Sequence, residues 1–216
     1  MGTTDQQQAL LKRRRWWLSR FAHEKPAHRV HLDAVNIGTY EVTNSQWNVF
    51  ARATGRSEKT GPETHPVVEI NWFDARAFCT AFGMRLPTEA EWEQAARGTD
   101  GRLFPWAAEI DSSLAHYWDD GHRTYAAMPA GHFPKGVSPY GAFAMAGNVL
   151  EWVADWYDFD YYARSPAQNP TGPEDGKYRI VRGGAWTDAP RSLRTAMRWR
   201  YAPEEARVSI GFRCAR

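Results

Sequence analysis

The sequence predicts a single mixed α+β domain, with helices in its first half and an antiparallel sheet in its second half. Three observations lead to this prediction. Amphipathic stretches with helix start and stop signals recur before residue 98. Short segments of alternating polarity return near the C-terminus. Between these regions, residues 99–178 combine Gly, Pro and Asp with many aromatic residues, which is typical of long loops that stay ordered.

Three helices are predicted from residues that are typical of helix starts and helix ends. Each stretch has a side chain that can cap the first turn, an apolar face at helical spacing and a glycine that ends it. The capping residues and terminal glycines are, in chain order, Thr43 or Asn44 with Gly55, Asn71 with Gly83, and Thr88 with Gly98. The third helix also has Glu91 three residues after its cap, a capping-box pattern.

Extended structure is predicted on either side of these helices. Val30 and Leu32 alternate with His31 and Asp33, which indicates a strand. Further strand-like segments are residues 179–182, 196–200 and 209–214. Arg213 lies in the last of them and is expected to pair with a buried carboxylate, Glu91 or Glu151. The polar, basic start favours an N-terminal arm or helix over residues 1–25, with a helix around 6–19, followed by one domain over 26–216.

The composition excludes several classes of protein. The 216 residues are 43% hydrophobic and 24% charged, which is enough to bury a sizeable core. The net charge of +2 argues against a nucleic-acid-binding protein. No stretch reaches the roughly 18 apolar residues of a membrane span. Arg13, Arg14 and Arg15 are not followed by the apolar region of an export signal, so no signal peptide is predicted, and both a cytoplasmic protein and an exported, processed one stay open.

Metal-binding side chains are sparse. Cys79 and Cys214 are the only cysteines, too few for a disulfide scaffold and too unlike in their surroundings for a zinc site. The seven histidines are scattered along the chain. His28 and His31 are close in sequence, but an offset of three would place them on opposite faces of a strand. We therefore predict no three-ligand metal set from histidine and cysteine.

Motifs along nearly the whole chain resemble the formylglycine-generating-enzyme (sulfatase-modifying-factor) family. They occur in the family's order: Tyr40-Glu41-Val42-Thr43-Asn44, Arg85-Leu86-Pro87-Thr88-Glu89-Ala90-Glu91-Trp92, Gly147-Asn148-Val149-Leu150-Glu151-Trp152, Arg182-Gly183-Gly184-Ala185-Trp186 and Gly211-Phe212-Arg213-Cys214. The resemblance implies a C-type-lectin-like fold with much irregular structure. It also implies a disulfide between Cys79 and Cys214, with two reduced, buried thiols as the alternative.

The resemblance fails at the catalytic centre. Oxidase members of the family bind copper(I) through a cysteine pair downstream of the Gly-Gly motif, and thiolates suit that soft ion. In this chain the matching positions carry Asp188 and Leu193, and Ala185 replaces the usual serine. We therefore expect no copper and no formylglycine-generating activity. The sequence indicates a non-catalytic member of the family.

Calcium is the cofactor that the resemblance still implies. One site would use the backbone carbonyls of Gly147 and Val149 and the carboxylate of Glu151, although Ala144 replaces an oxygen ligand that the family often adds. A second site would use Asp119 and Asp120. Calcium needs six to eight oxygen ligands, so the lost ligand weakens the first site.

The predicted function is a binding or accessory domain that recognises a protein or small ligand through residues 186–207, here called the display segment. Its place and flanking motif resemble the diversified region of retroelement-encoded variable proteins. The candidate binding residues are Trp186, Asp188, Arg191, Arg194, Arg198, Trp199, Arg200 and Tyr201, residue types common at interface hot spots. The alternative for the arginines is pairing with acidic residues. The alternatives for the function are an oxidase-type enzyme with an altered metal site and a subunit that docks through its basic N-terminal arm.

Overall fold

A computed structural model describes residues 1–106, 109–118, 121 and 126–216. The chain forms helices α1 (Asp5–Arg13), α2 (Asn44–Thr54), α3 (Trp72–Ala81) and α4 (Glu89–Arg97), and strands β1 (Leu150–Trp156), β2 (Arg179–Arg182), β3 (Trp199–Tyr201) and β4 (Ile210–Phe212). Short 3₁₀ helices cover Ser19–Glu24, Tyr161–Ala163 and Pro190–Ser192. The α+β class predicted from the sequence is confirmed.

The three helices predicted from their capping residues, α2, α3 and α4, lie where the caps predict. The side chains of Thr43, Asn71 and Thr88 each accept a hydrogen bond from a backbone N–H in the first turn of α2, α3 and α4. These bonds satisfy donors that have no partner within the helix. Gly55 ends α2 in the left-handed conformation, with φ of 69°, which glycine adopts at little cost.

The sheet is mixed, whereas the sequence analysis predicted a purely antiparallel one. Its order is β3-β2-β1-β4, and the β3–β2 and β2–β1 pairs are antiparallel. The pairing of β1 with β4 is parallel, with Glu151 opposite Gly211. The expected strand around His31 is reduced to an isolated bridge with Gln168. Strand β1 was not predicted as a strand, although it lies between two others in the sheet.

Tryptophan side chains fill part of the interior. Trp47, Phe78, Trp152 and Phe212 belong to a core cluster that packs α2 and α3 on the sheet. Trp92 of α4 belongs to a second cluster on the neighbouring part of the sheet. The indole N–H of Trp152 donates to the Ile70 carbonyl at 2.9 Å, so the buried ring keeps its polar atom satisfied.

Residues 1–25, described above as an arm, contribute side chains to the interior. Helix α1 ends at Arg13, earlier than expected, because the backbone turns at Arg15 with φ of 56°. Leu11 and Phe21 are fully buried. The backbone N–H of Gly2 donates to the carboxylate of Glu93 in α4 at 2.8 Å. Pairing and packing therefore hold this segment against the rest of the described chain.

A disulfide joins Cys79 of α3 to Cys214, just after β4, with the Cα atoms 5.6 Å apart. The residues are 135 positions apart in sequence, so the bond closes a long loop in the unfolded chain. Cys79 has no exposed surface and Cys214 has little.

Replacing both cysteines by Ala is expected to lower the free energy of unfolding by about 2–4 kcal/mol, because the unfolded chain regains loop entropy. Urea unfolding of oxidised wild type and the Cys79→Ala/Cys214→Ala variant measures the difference. Addition of reductant should bring wild type towards the variant and leave the variant unchanged. Equal stability of all the samples would contradict the prediction.

The described helices are too short and too polar for any of them to cross a membrane.

Candidate functional site in the display segment

The structure divides the display segment into an accessible part and a buried part. Arg200 is exposed, and five other candidate residues are half-buried: Trp186, Asp188, Arg191, Trp199 and Tyr201. Arg194 and Arg198 have no exposed surface. These two arginines therefore do not belong to a binding surface, and the prediction that places them there is wrong. The alternative, pairing with acidic residues, holds for both.

Arg194 holds the N-terminal segment. Its Nη1 and Nη2 donate to the two carboxylate oxygens of Glu24 at 2.7 and 2.8 Å, and both side chains are fully buried. The Thr3 hydroxyl donates to the same carboxylate. The Nε of Arg194 donates to the Arg191 carbonyl at 2.8 Å. The pair thus links residues far apart in sequence and fixes the backbone beneath the display segment.

Arg198 belongs to a buried charge network around α4. It donates to both carboxylate oxygens of Glu89, at 2.7 and 3.0 Å. Arg182 of β2 lies 3.3 Å from Glu89 and donates to Glu93 at 2.6 Å. Burial alone would raise the pKa of Glu93, but Arg97 and Arg182 lower it to about 2. This network satisfies its charges internally, so its role is structural.

The positions that match the copper-binding cysteines do not fit copper(I). Leu193 is fully buried in an apolar cluster with Phe104 and Ala146 and offers no donor atom. The carboxylate of Asp188 accepts a hydrogen bond from the Ala185 backbone at 3.0 Å. Burial raises the pKa of Asp188, partly offset by that bond and by Arg191. A hard carboxylate and an aliphatic side chain cannot replace two thiolates.

The predicted calcium site around Glu151 does not fit either, because its carboxylate is already occupied. Arg213 donates to both oxygens at 2.6 and 2.7 Å, and the Trp92 indole donates at 2.8 Å. Of the two partners expected for Arg213, Glu151 is therefore correct, and Glu91 instead binds Arg85. Gly147 and Val149, the other residues of this predicted calcium site, precede Glu151 in the chain by four and two residues. Asp119 and Asp120, the second predicted calcium set, lie outside the described residues.

Within the described ranges, His, Cys, Asp and Glu side chains form no group of three that could hold a metal ion.

The accessible part of the display segment is built from cations stacked on aromatic rings. The guanidinium of Arg200 lies 4.4 Å from the ring centroid of Tyr157. Arg207 lies 4.4 Å from the ring of Tyr201. Arg20, from the N-terminal segment, lies 5.7 Å from the ring of Trp199. Sequence reasoning missed Arg20 and Tyr157, because no local signal places either beside the display segment.

A second surface feature borders Asp188. The backbone N–H of Trp118 donates to the Asp188 carbonyl at 2.9 Å, and the Trp118 side chain is 56% exposed. The ring of His116 stacks on Trp186 with centroids 6.5 Å apart. The loop before residue 119 therefore widens the aromatic surface at the start of the display segment. Exposed aromatic side chains of this kind are typical of protein-binding surfaces.

Comparison with known proteins finds curated relatives of this chain. The chain is 31% identical over 258 aligned residues to the formylglycine-generating enzyme of Streptomyces coelicolor, covering 89% of this chain and 81% of that protein. Other curated relatives are much longer: the chain spans 34% of the length of a Chlamydia caviae protein named serine/threonine-protein kinase pkn1, at 34% identity over 89% of this chain.

Two solved structures share the fold. PvdO from Pseudomonas aeruginosa superimposes with a TM-score of 0.83 at 24% identity, covering all of this chain and 89% of that one. Variable protein 1 of Treponema denticola gives 0.73 at 26% identity, covering 86% and 85%. The C-type-lectin-like α+β fold that the motifs imply is thus confirmed. The model of the sulfatase-modifying factor enzyme 1-like domain matches residues 2–216, and the chain belongs to that family.

Proposed function

We propose that this chain is a non-catalytic binding domain, whose binding face is the accessible part of the display segment. The observation that carries the proposal is the replacement of the copper-binding pair by a hydrogen-bonded Asp188 and a core Leu193. A domain with these residues keeps the family's frame and lacks its oxidising centre.

Buried ion pairs hold the backbone beneath the binding face in place, which suits recognition of a partner. The Glu24–Arg194 and Glu89–Arg198 pairs anchor the segment from below. The exposed Arg200 can therefore differ between relatives at little cost to the fold, because it is not part of those pairs. Arg and aromatic side chains held on a pre-formed surface are the types that supply most binding energy at interfaces. The structural likeness to a variable protein supports the same function.

Loss of copper binding is one arm of the test. The purified chain is expected to bind no stoichiometric copper(I) under anaerobic titration and to leave the cysteine of a test peptide unoxidised. The Asp188→Cys/Leu193→Cys variant restores the family's thiolate pair and serves as the positive control for copper(I) binding. Stoichiometric copper on wild type, or conversion of the peptide cysteine to formylglycine, would overturn the proposal.

Partner binding is the other arm. The Arg191→Glu/Arg200→Glu variant should lose a partner that wild type retains in affinity capture from cells of the source organism. Arg52→Glu, an exposed arginine on α2 that pairs with Glu58, is the matched control and should retain the partner. Equal capture by all three proteins would show that binding does not use this face.

An oxidase-type enzyme with an altered metal site is the second candidate. It is favoured by the match to 81% of the length of a formylglycine-generating enzyme. It requires a metal ligand set outside the cysteine positions. Elemental analysis of protein purified without chelator separates the candidates, because only the enzyme predicts a stoichiometric transition metal.

A further inference from the structure

A cavity of about 360 Å³ lies between the Ser19–Glu24 helix and strand β3. Its walls include the aromatic rings of Phe21, Tyr178, Trp199 and Tyr201. This volume is near the lower limit of small-molecule sites, and aromatic walls with a few polar groups are their usual lining. The cavity reaches the display segment through β3, but Arg20, Phe21 and His23 come from the N-terminal segment.

Two cations that form no ion pair within the described ranges flank the cavity. Arg20 and Arg200 are both exposed, and neither forms a salt bridge with another described residue. Their contacts are with rings: Arg20 with Phe21 and Trp199, and Arg200 with Tyr157 and Tyr178. Arg207, at the end of the display segment, differs because it forms an ion pair with Glu205.

The lining is also positive in sign. No carboxylate of the described residues lines the cavity, whereas Arg20 and Arg200 do. His23 is buried, its Nδ1 lies 2.8 Å from the Tyr157 hydroxyl, and its Nε2 has no partner among the described residues. Burial lowers the pKa of His23 to about 3, helped by Arg198 and Arg200. A neutral histidine beside Arg200, which forms no ion pair with another described residue, indicates a positive potential at this end of the cavity.

We propose that this cavity binds a small aromatic carboxylate, with its ring between the aromatic walls and its carboxylate between Arg20 and Arg200. Guanidinium groups form strong, directional hydrogen bonds with carboxylates. The aromatic walls supply stacking area for one ring. Both arginines are already oriented by their stacking on Trp199 and Tyr157, which reduces the entropy lost on binding. The inference stands on the cavity alone, and it supplies a ligand class for the proposed binding face.

Benzoate is the probe, followed through the indole N–H resonance of Trp199 in ¹H–¹⁵N spectra. The Trp199→Phe variant identifies that resonance. Benzoate is expected to shift it with saturation, whereas neutral benzamide should produce a shift at least about tenfold weaker at equal concentration, since it lacks the charge. Equal responses to benzoate and benzamide would overturn the inference.

Charge-removing variants complete the test. Arg20→Gln and Arg200→Gln are each expected to weaken benzoate binding by about tenfold or more, because each removes a charged hydrogen bond. Arg52→Gln removes an exposed charge on α2 that does not line the cavity, and this variant should bind benzoate as wild type does. Unchanged affinity in Arg20→Gln and Arg200→Gln would sink the inference. Thermal unfolding of each variant shows that it is folded.

The benzoate experiment and the tests of the proposed function can fail independently of each other. Loss of partner capture by the face variant together with no benzoate response would leave the binding domain intact and remove this ligand. If benzoate binds but the chain also oxidises the peptide cysteine with copper(I), the ligand site is supported and the proposal of a non-catalytic domain is overturned.

Discussion

Arg213→Met is expected to lower the free energy of unfolding by about 3–5 kcal/mol, the usual cost of breaking a buried ion pair from one side. Arg213 and Glu151 are both fully buried, and their two hydrogen bonds measure 2.6 and 2.7 Å. The guanidinium also donates to the Gly38 and Phe143 carbonyls at 2.9 and 2.8 Å. Removing it leaves an ionised carboxylate and two carbonyls without these donors. Urea unfolding at neutral pH measures the loss.

Two further variants test the cause of that loss. The Arg213→Met/Glu151→Met variant should recover a large part of the stability, because neither charge is then buried alone. Arg207→Ala breaks an exposed pair with Glu205 and should cost less than about 1 kcal/mol. A double variant as unstable as the sum of its single changes would contradict the explanation by an unpaired charge.

Glu41→Gln is expected to reduce the dependence of stability on pH between about 4.5 and 8. Glu41 is buried, and burial raises its pKa to about 8; nearby Glu151 raises it too, while Arg213 opposes the rise. One oxygen accepts a hydrogen bond from Asn148 at 2.9 Å, and the other has no partner among the described residues. The carboxyl therefore stays protonated in the folded chain at pH values where the unfolded chain has released the proton.

The sign follows from linkage. A pKa raised on folding contributes stability that is full below about 4.5, the unfolded value, and is lost as pH rises through 8. The loss from Glu41 has an upper bound of roughly 5 kcal/mol. Burial, reinforced by Glu89, also raises the pKa of Asp155 to about 8. Burial lowers the pKa of His23 to about 3, so His23 acts with the opposite sign and adds stability as pH rises to about 6.5. Glu93, with a pKa of about 2, affects the pH dependence of stability only below about pH 4.5.

Unfolding free energies at pH 5, 6, 7 and 8 are the measurement. Wild type should lose stability across the series, Glu41→Gln should lose less, and Glu41→Gln/Asp155→Asn should lose least. Gln and Asn have the size of the acids they replace, so the variants keep the packing of wild type. Parallel curves for wild type and Glu41→Gln would show that Glu41 has an ordinary pKa in the folded chain.

Strand β1 shows why sequence reasoning missed the middle of the sheet. Its residues include Glu151 and Asp155, and acidic side chains argue against a strand buried on both faces. Both are nevertheless buried. Glu151 is neutralised by Arg213, 62 residues away, and Asp155 accepts a hydrogen bond from the Glu89 backbone at 2.7 Å. A local pattern cannot reveal a partner that only folding brings close.

The display segment shows the same limit at the candidate site. Arg194, Arg198 and Arg200 look alike in sequence, and all three were assigned to one surface. The structure buries Arg194 and Arg198 against Glu24 and Glu89 and leaves Arg200 exposed. Which arginine meets a carboxylate depends on where the N-terminal segment and α4 pack.

The sequence by itself determined the class of fold, the three capped helices, the family resemblance and the replacement of the copper-binding cysteines. Each of these rests on local chemistry: a cap acts within one turn, and a side chain without a donor atom cannot ligate a metal. Only the tertiary structure decided the central strand β1, its parallel pairing with β4, the partner of Arg213 and the division of the display segment. Those features depend on contacts between residues distant in sequence, which local patterns do not encode.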